Sequence, residues 1–149
     1  MPSLDEAVER WADIGLLLKR ATDRVTGYEP IDLLRLIMLG KMGLWLIEMH
    51  GMLVAAAVTE VIEFPRERTL CCPFIGGAGL RHWGPRFLMA LEDQARAAQC
   101  PVIIGYDRKG WGACGFEVTG VTLVRRVPPV RAEISDDVVR RVTPMRVLA

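Results

Sequence analysis

"CCPFIGGAGLRHWGPRFLMALEDQARA", Cys71 to Ala97, is the stretch on which the fold turns. It opens apolar and short, as a buried strand does. It then passes through Gly76, Gly77 and Gly79. Beyond them Phe87, Leu88, Leu91, Ala95 and Ala98 recur at helical spacing and mark one buried face. A strand, a glycine corner and a helix can hold a phosphate, because the first N–H groups of a helix have no partners inside it. Pro85 lacks an N–H and suits only a first helical turn, which predicts helical geometry from about His82 to Gly84 and a helix over residues 85–99.

Upstream the chain reads as extended. "LWLIEM" (Leu44–Met49) and "MLVAAAVTEVIEF" (Met52–Phe64) flank a "HG" turn. "PRER" separates the second of these from "TLCCPFI" (Thr69–Ile75). Such short connections predict an antiparallel meander. Downstream, "PVIIGY" (Pro101–Tyr106) is nearly continuously apolar, as a strand covered on both faces would be. A compact "KGWGACGFE" precedes a last strand, Val118–Val127. These five strands are expected in one mixed α/β sheet. Its parallel pair, Thr69–Ile75 with Pro101–Tyr106, would be joined through the helix by a right-handed crossover.

Two helices lead the chain. "LDEAVERWADIGLLLKRATDRV" places Leu4, Val8, Trp11, Gly15, Leu18 and Val25 on one face. "PIDLLRLIMLG" follows, with Pro30 in its first turn and Asp32 near its positive end. The domain is expected over residues 1–127 and a C-terminal arm over 128–149. Pro128 and Pro129 end the last strand. Val130, Ile134, Val138, Val139, Val142, Met145, Val147 and Leu148 are too many apolar groups to leave in water on a short arm. Burying four of them would contribute about 6 kcal/mol before entropy is charged. The arm is therefore expected to contact other protein chains.

Composition excludes several classes. The chain has 149 residues, 51% of them hydrophobic, and a formal net charge of +1. That is one domain's worth of core and no polyelectrolyte signature, so no specific nucleic-acid partner is expected. No apolar run approaches the roughly 18 residues of a membrane span. Cys71, Cys72, Cys100 and Cys114 show no metal-ligand spacing, and His50 and His82 lie far apart. No metal is expected, and neighbouring Cys71 and Cys72 would face opposite sides of a strand.

The element order, with "LWLIEMHGMLVAAAVTEVIEFPRERTL", "IGGAG" and "ALEDQARAAQCPVIIGYDRKGW" as its carriers, resembles the GNAT N-acetyltransferase fold. It is most similar to small phage-encoded GNAT-like proteins, through the helix–helix lead-in, the "VTE…P-R" strand and turn and the "R-x-GW" corner. The likeness covers about Trp11 to Val127. It implies a gap between two parallel strands that admits acetyl-coenzyme A, with the pyrophosphate at the helix start and an amine attacking the thioester. It also implies a carboxylate or water as base, a tyrosine as acid and a backbone N–H polarising the carbonyl. The cofactor contacts would then be Ile75, Gly76, Gly77, Ala78, Gly79 and Arg81. Glu60 is the candidate base and Tyr106 the candidate acid. Strand alternation puts Val54, Ala56, Val58 and Glu60 on one face, among apolar neighbours that would raise the Glu60 pKa.

This sequence departs from the family's (Q/R)-x-x-G-x-(G/A) signature. Phe74 or Pro73 stands where Gln or Arg belongs, and the late helix start would displace the phosphate donors. Acetyl-CoA is therefore expected to bind weakly or not at all, with a dissociation constant no tighter than about 100 μM, or about −5.5 kcal/mol. The segment that usually carries the acid tyrosine is reduced to "GWGACG". Two classes remain. One is a catalytically degenerate GNAT fold that is a structural or binding part of a virion assembly, homo-oligomeric or bound to phage structural proteins, found in the infected host's cytoplasm or in the particle. The other is an acetyl-CoA-dependent N-acetyltransferase with Glu60 as base.

Overall fold

The computed structural model describes residues 2–25, 27–106 and 109–120. All the elements lie in one compact unit, Met1–Val118; a second unit is Thr119–Ala149. The lead-in contains three helices rather than two: α1 (Leu4–Glu9), α2 (Trp11–Thr22) and α3 (Pro30–Met38). Ser3 caps α1 by accepting from the Glu6 N–H at 3.2 Å. The expected single first helix is interrupted at Arg10, whose guanidinium reaches Glu6 at 3.1 Å and Glu48 at 2.7 Å. The buried face of α1 is displaced from the expected one, while Gly15 and Leu18 of α2 are buried as expected. Ala7, Ile14, Leu18 and Thr22 are buried, whereas Leu4 and Val8 are about half exposed. The neighbouring phase wins because it aligns Ala7, Ile14 and Leu18 with Leu33 and Ile37 of α3 in one cluster.

The meander follows as expected: β1 (Gly43–Met49), β2 (Met52–Glu63) and β3 (Arg68–Gly77). His50 and Gly51 both take positive φ, 51° and 74°, which suits the tight turn between two right-twisted strands. The crossover is α4 (Leu80–Ala97), leading to β4 (Val102–Gly105). The sheet order is β1-β2-β3-β4, with β1–β2 and β2–β3 antiparallel and β3–β4 parallel. A 3-10 turn, Lys109–Cys114, closes the described unit. The predicted strand over 118–127 has no strand geometry at Val118–Gly120, and its remainder lies outside the described residues. The arm over 128–149 lies outside them too.

Two cores sandwich the sheet. Ala56, Val58, Leu44 and Phe74 face α1–α3. Ala55, Ala57, Leu70, Cys72 and Ile75 face α4, where Trp83, Phe87, Leu91 and Ala95 cover them. Cys71 and Cys72 are free thiols on opposite faces, as alternation requires.

The β2–β3 register is interrupted once. Val58 pairs with Phe74, but Glu60 pairs with Cys71. Two steps on β2 are matched by three on β3, so β3 carries an extra residue there. Cys72 faces α4 and Phe74 the other helices, which leaves Pro73 as the bulged position. A bulge is where an inner strand tolerates proline, because the missing N–H breaks no rung of the ladder. The parallel ladder also ends here. Its four rungs run from Thr69↔Val102 to Cys72↔Gly105, and β3 continues to Gly77 without β4 beside it. The two parallel strands thus form a fork whose apex is Cys72 and Gly105.

Candidate functional site

The fork places three titratable groups together. Glu60 pairs with Cys71 across β2–β3, and Cys71 pairs with Ile104 across β3–β4. Tyr106 lies two residues beyond Ile104. Paired residues share a sheet face, so Glu60, Cys71 and Tyr106 gather on the face away from α4. Their interactions agree. The Cys71 thiol and the Tyr106 hydroxyl are within hydrogen-bonding reach, and the Glu60 carboxylate acts electrostatically on both. Cys71 is fully buried and Tyr106 is 39% exposed.

Burial sets the protonation states. It raises the Glu60 pKa above the ordinary 4.5. It also raises the Cys71 thiol, and the Glu60 charge adds to that. Tyr106 is raised by burial, then by Cys71 and Glu60. The thiol stays protonated and is a poor nucleophile. Glu60 is a stronger base than a solvated carboxylate, and Tyr106 keeps its proton for donation. Thr69 stands on the same face, two rungs below Cys71, with a buried hydroxyl that has no partner among the described residues.

The glycine corner lies at the far end of β3. The late helix start predicted from Pro85 is overturned: α4 begins at Leu80, immediately after Gly79. Pro85 is tolerated because the carbonyl it would have served, on Arg81, belongs to an exposed residue in the first turn. Gly79 takes φ 81° and caps the helix. Its carbonyl accepts from the His82 N–H at 2.8 Å, and the Trp83 indole N–H donates to the Ala78 carbonyl at 2.8 Å. Among the described residues nothing accepts from the N–H groups of Gly79, Leu80 and Arg81. These three donors open an 18-residue helix beside the exposed Arg81.

The other expected cofactor residues lie at the end of β3 and just beyond it. Ile75 is buried under α4. Gly76 and Gly77 are the last residues of β3, paired with Ala56 and Ala55. A Cβ on Gly76 would lie 1.7 Å from the Leu17 carbonyl oxygen, and one on Gly77 2.3 Å from that of Val54. Both glycines therefore admit neighbouring backbone. The Ala78 N–H donates to the Val54 carbonyl at 3.2 Å. Phe74, which with Pro73 is one of the two residues expected at the signature's polar position, is buried against Tyr28, with ring centroids 5.1 Å apart. The helix start thus leaves the N–H groups of Gly79, Leu80 and Arg81 free to receive an anion. The strand end is shaped by close backbone packing.

Leu80 and Cys71 escaped the sequence reading. Cys71 could have been found from Pro73, since proline inside an inner strand signals a bulge. A second concavity, about 250 Å³ between α1, α3 and β1, is lined by Leu4, Ala7, Ile37, Met38 and Leu44 and carries no ionisable side chain. Among the described residues there is no cluster that could hold a metal ion, and no helix long and apolar enough to cross a membrane.

No protein-family model matches this chain. No curated protein matches it either. Solved structures do. A glucosamine-6-phosphate N-acetyltransferase from Arabidopsis thaliana superposes with TM-score 0.58 at 15% identity, over 85% of this chain and 95% of its own. A ribosomal-protein-alanine N-acetyltransferase from Brucella melitensis biovar Abortus 2308 gives 0.59 at 14%, over 85% and 96%. An acetyl-CoA complex of a predicted acetyltransferase from Clostridium acetobutylicum gives 0.56 at 16%, over 77% and 90%. Across three acetyltransferases the superposition covers most of both chains at 14–16% identity, and it shows the fold: the chain has the fold of the GNAT acetyltransferases.

Proposed function

We propose that the protein is an acyl-CoA-dependent N-acyltransferase. The observation that carries this is the convergence of Glu60, Cys71 and Tyr106 at the fork, with protonation states suited to transfer. The acyl-CoA substrate would bring a thioester whose acyl carbon passes from sulfur to an amine nitrogen. Gly79, Leu80 and Arg81 would hold its diphosphate with backbone N–H groups, helped by the Arg81 charge. Glu60 takes the proton that the amine loses on forming the C–N bond. Tyr106 gives a proton to the sulfur as the C–S bond breaks. Cys71, neutral and buried, holds the Tyr106 hydroxyl in place.

The test is a calorimetric titration of the full chain with acetyl-CoA, followed by release of free thiol in the presence of small amines. Micromolar binding and amine-dependent thiol release are expected. Binding weaker than about 100 μM, or thiol release unaffected by Glu60→Gln, rejects the proposal.

A second reading has its own support. Gly76 and Gly77 serve packing, and Phe74 or Pro73 stands in place of the signature's polar residue. Those features suit a GNAT fold kept for assembly, with the apolar arm over 128–149 docking on another chain. Phage origin and a place in a virion rest on the sequence resemblance alone. Failure of the titration favours this reading.

A further inference from the structure

A carbonyl oxygen entering the apex requires a hydrogen-bond donor, and the bulged residue there, Pro73, has no N–H. An unused donor lies against Gly105, the β4 residue at the apex. Trp111 is 5% exposed, and its indole N–H has no partner among the described residues. The position is fixed on three sides. The ring packs on Phe116, with centroids 4.7 Å apart. It lies flat over Gly105, where a Cβ would come within 2.8 Å of Cε2 and 2.9 Å of Nε1. The adjacent Gly110 sits against Leu80, where a Cβ would meet the side chain at 2.6 Å. Trp111 is thus held between the last rung of the parallel ladder and the first residue of α4. A buried indole N–H without an acceptor is costly, and buried Trp N–H groups ordinarily find one. Trp45 and Trp83 follow that rule, donating to Thr59 at 3.0 Å and to Ala78 at 2.8 Å.

We propose that the Trp111 indole N–H, poised against Gly105 at the apex of the β3–β4 fork, is the hydrogen-bond donor that receives a carbonyl oxygen of the bound acyl-CoA. This rests on the acyl-CoA reading above. The carbonyl is either that of the thioester or an amide of the pantetheine arm, and both present the same acceptor. Gly105 is glycine so that the indole can reach the apex. Trp111 is a positioning residue in the second case and polarises the reacting carbonyl in the first.

The experiment measures binding of coenzyme A and acetyl-CoA to the full chain and to Trp111→Phe. The variant should lose about fivefold in affinity, the size of one neutral hydrogen bond. Loss towards acetyl-CoA alone assigns the thioester carbonyl; equal loss towards both assigns a pantetheine amide. Should Trp111→Phe fail to fold, the unaltered chain labelled with 15N-tryptophan answers instead. Its four indole signals are assigned through Trp11→Phe, Trp45→Phe and Trp83→Phe, and coenzyme A or acetyl-CoA should shift the Trp111 signal downfield. Binding that persists with unchanged affinity in the variant, or with an unmoved Trp111 signal, overturns this inference alone. Absence of binding to the unaltered chain overturns the proposed function, and this inference with it.

Discussion

Glu60 is held above its ordinary pKa by burial, and this has two measurable consequences of opposite value. As a base it acts only when ionised, so the acyl-transfer rate should rise with pH through a pKa above 4.5. Glu60→Gln should remove that rise and lower the rate by about 100-fold or more. For stability the sign is reversed. The folded state binds the Glu60 proton more tightly than the unfolded chain does. Its contribution is therefore fully present below the unfolded pKa and is lost as pH rises through the folded one. Glu60→Gln should raise the thermal midpoint at pH 7 and leave it nearly unchanged at pH 4, as calorimetric melts at the two values will show. Its partial burial was legible from alternation alone, since Val58 and Ala56 share its face. Cys71 was not, because its pairing with Glu60 depends on a one-residue bulge that no periodicity reveals.

Among the elements, the corner between β3 and α4 gives glycines two different reasons to exist. Gly76→Ala would drive a methyl into the Leu17 carbonyl, a backbone atom that cannot swing aside. Unfolding in urea should show a loss of about 3 kcal/mol or more, with or without acetyl-CoA. Gly79→Ala meets ordinary contacts but must keep φ at 81°. Its expected cost is only about 1–2 kcal/mol, and its larger effect should be on acetyl-CoA affinity, because Gly79 heads the free N–H groups. If Gly76→Ala were neutral in urea, the close approach of α2 to β3 would be wrong. The glycines themselves, the strand before them and the helix after them were legible. The helix start was not. Reading Pro85 as a first-turn residue neglected that a carbonyl in an exposed first turn can turn to water. In α1 the period was right and the phase wrong, because Leu4 and Val8 compete with Ala7 for the buried side and only tertiary packing decides; in α2 the expected Gly15 and Leu18 are buried.

At the scale of the whole molecule, the mixed sheet and its one crossover could be read from connection lengths. Residues 128–149 remain a proposal of the sequence: removing them should leave a folded monomer that no longer assembles, and light scattering with a thermal melt will distinguish this from unfolding. The ladder between β3 and β4 carries a further consequence. It has four rungs, and its strands are separated in sequence by the whole of α4. The meander β1–β2–β3 has short turns and long registers. Closing the crossover loop demands entropy that the turns do not. The meander is therefore expected to form early and the fork late, and the native state should open in the reverse order. Hydrogen exchange should find the Val102–Gly105 amides less protected than those of Ala55–Val58. If so, the fork is the part of the molecule that can breathe while the rest stays folded. Substrate entry would then draw on a local opening that the fold already makes, and stiffening β4 would slow exchange and turnover together.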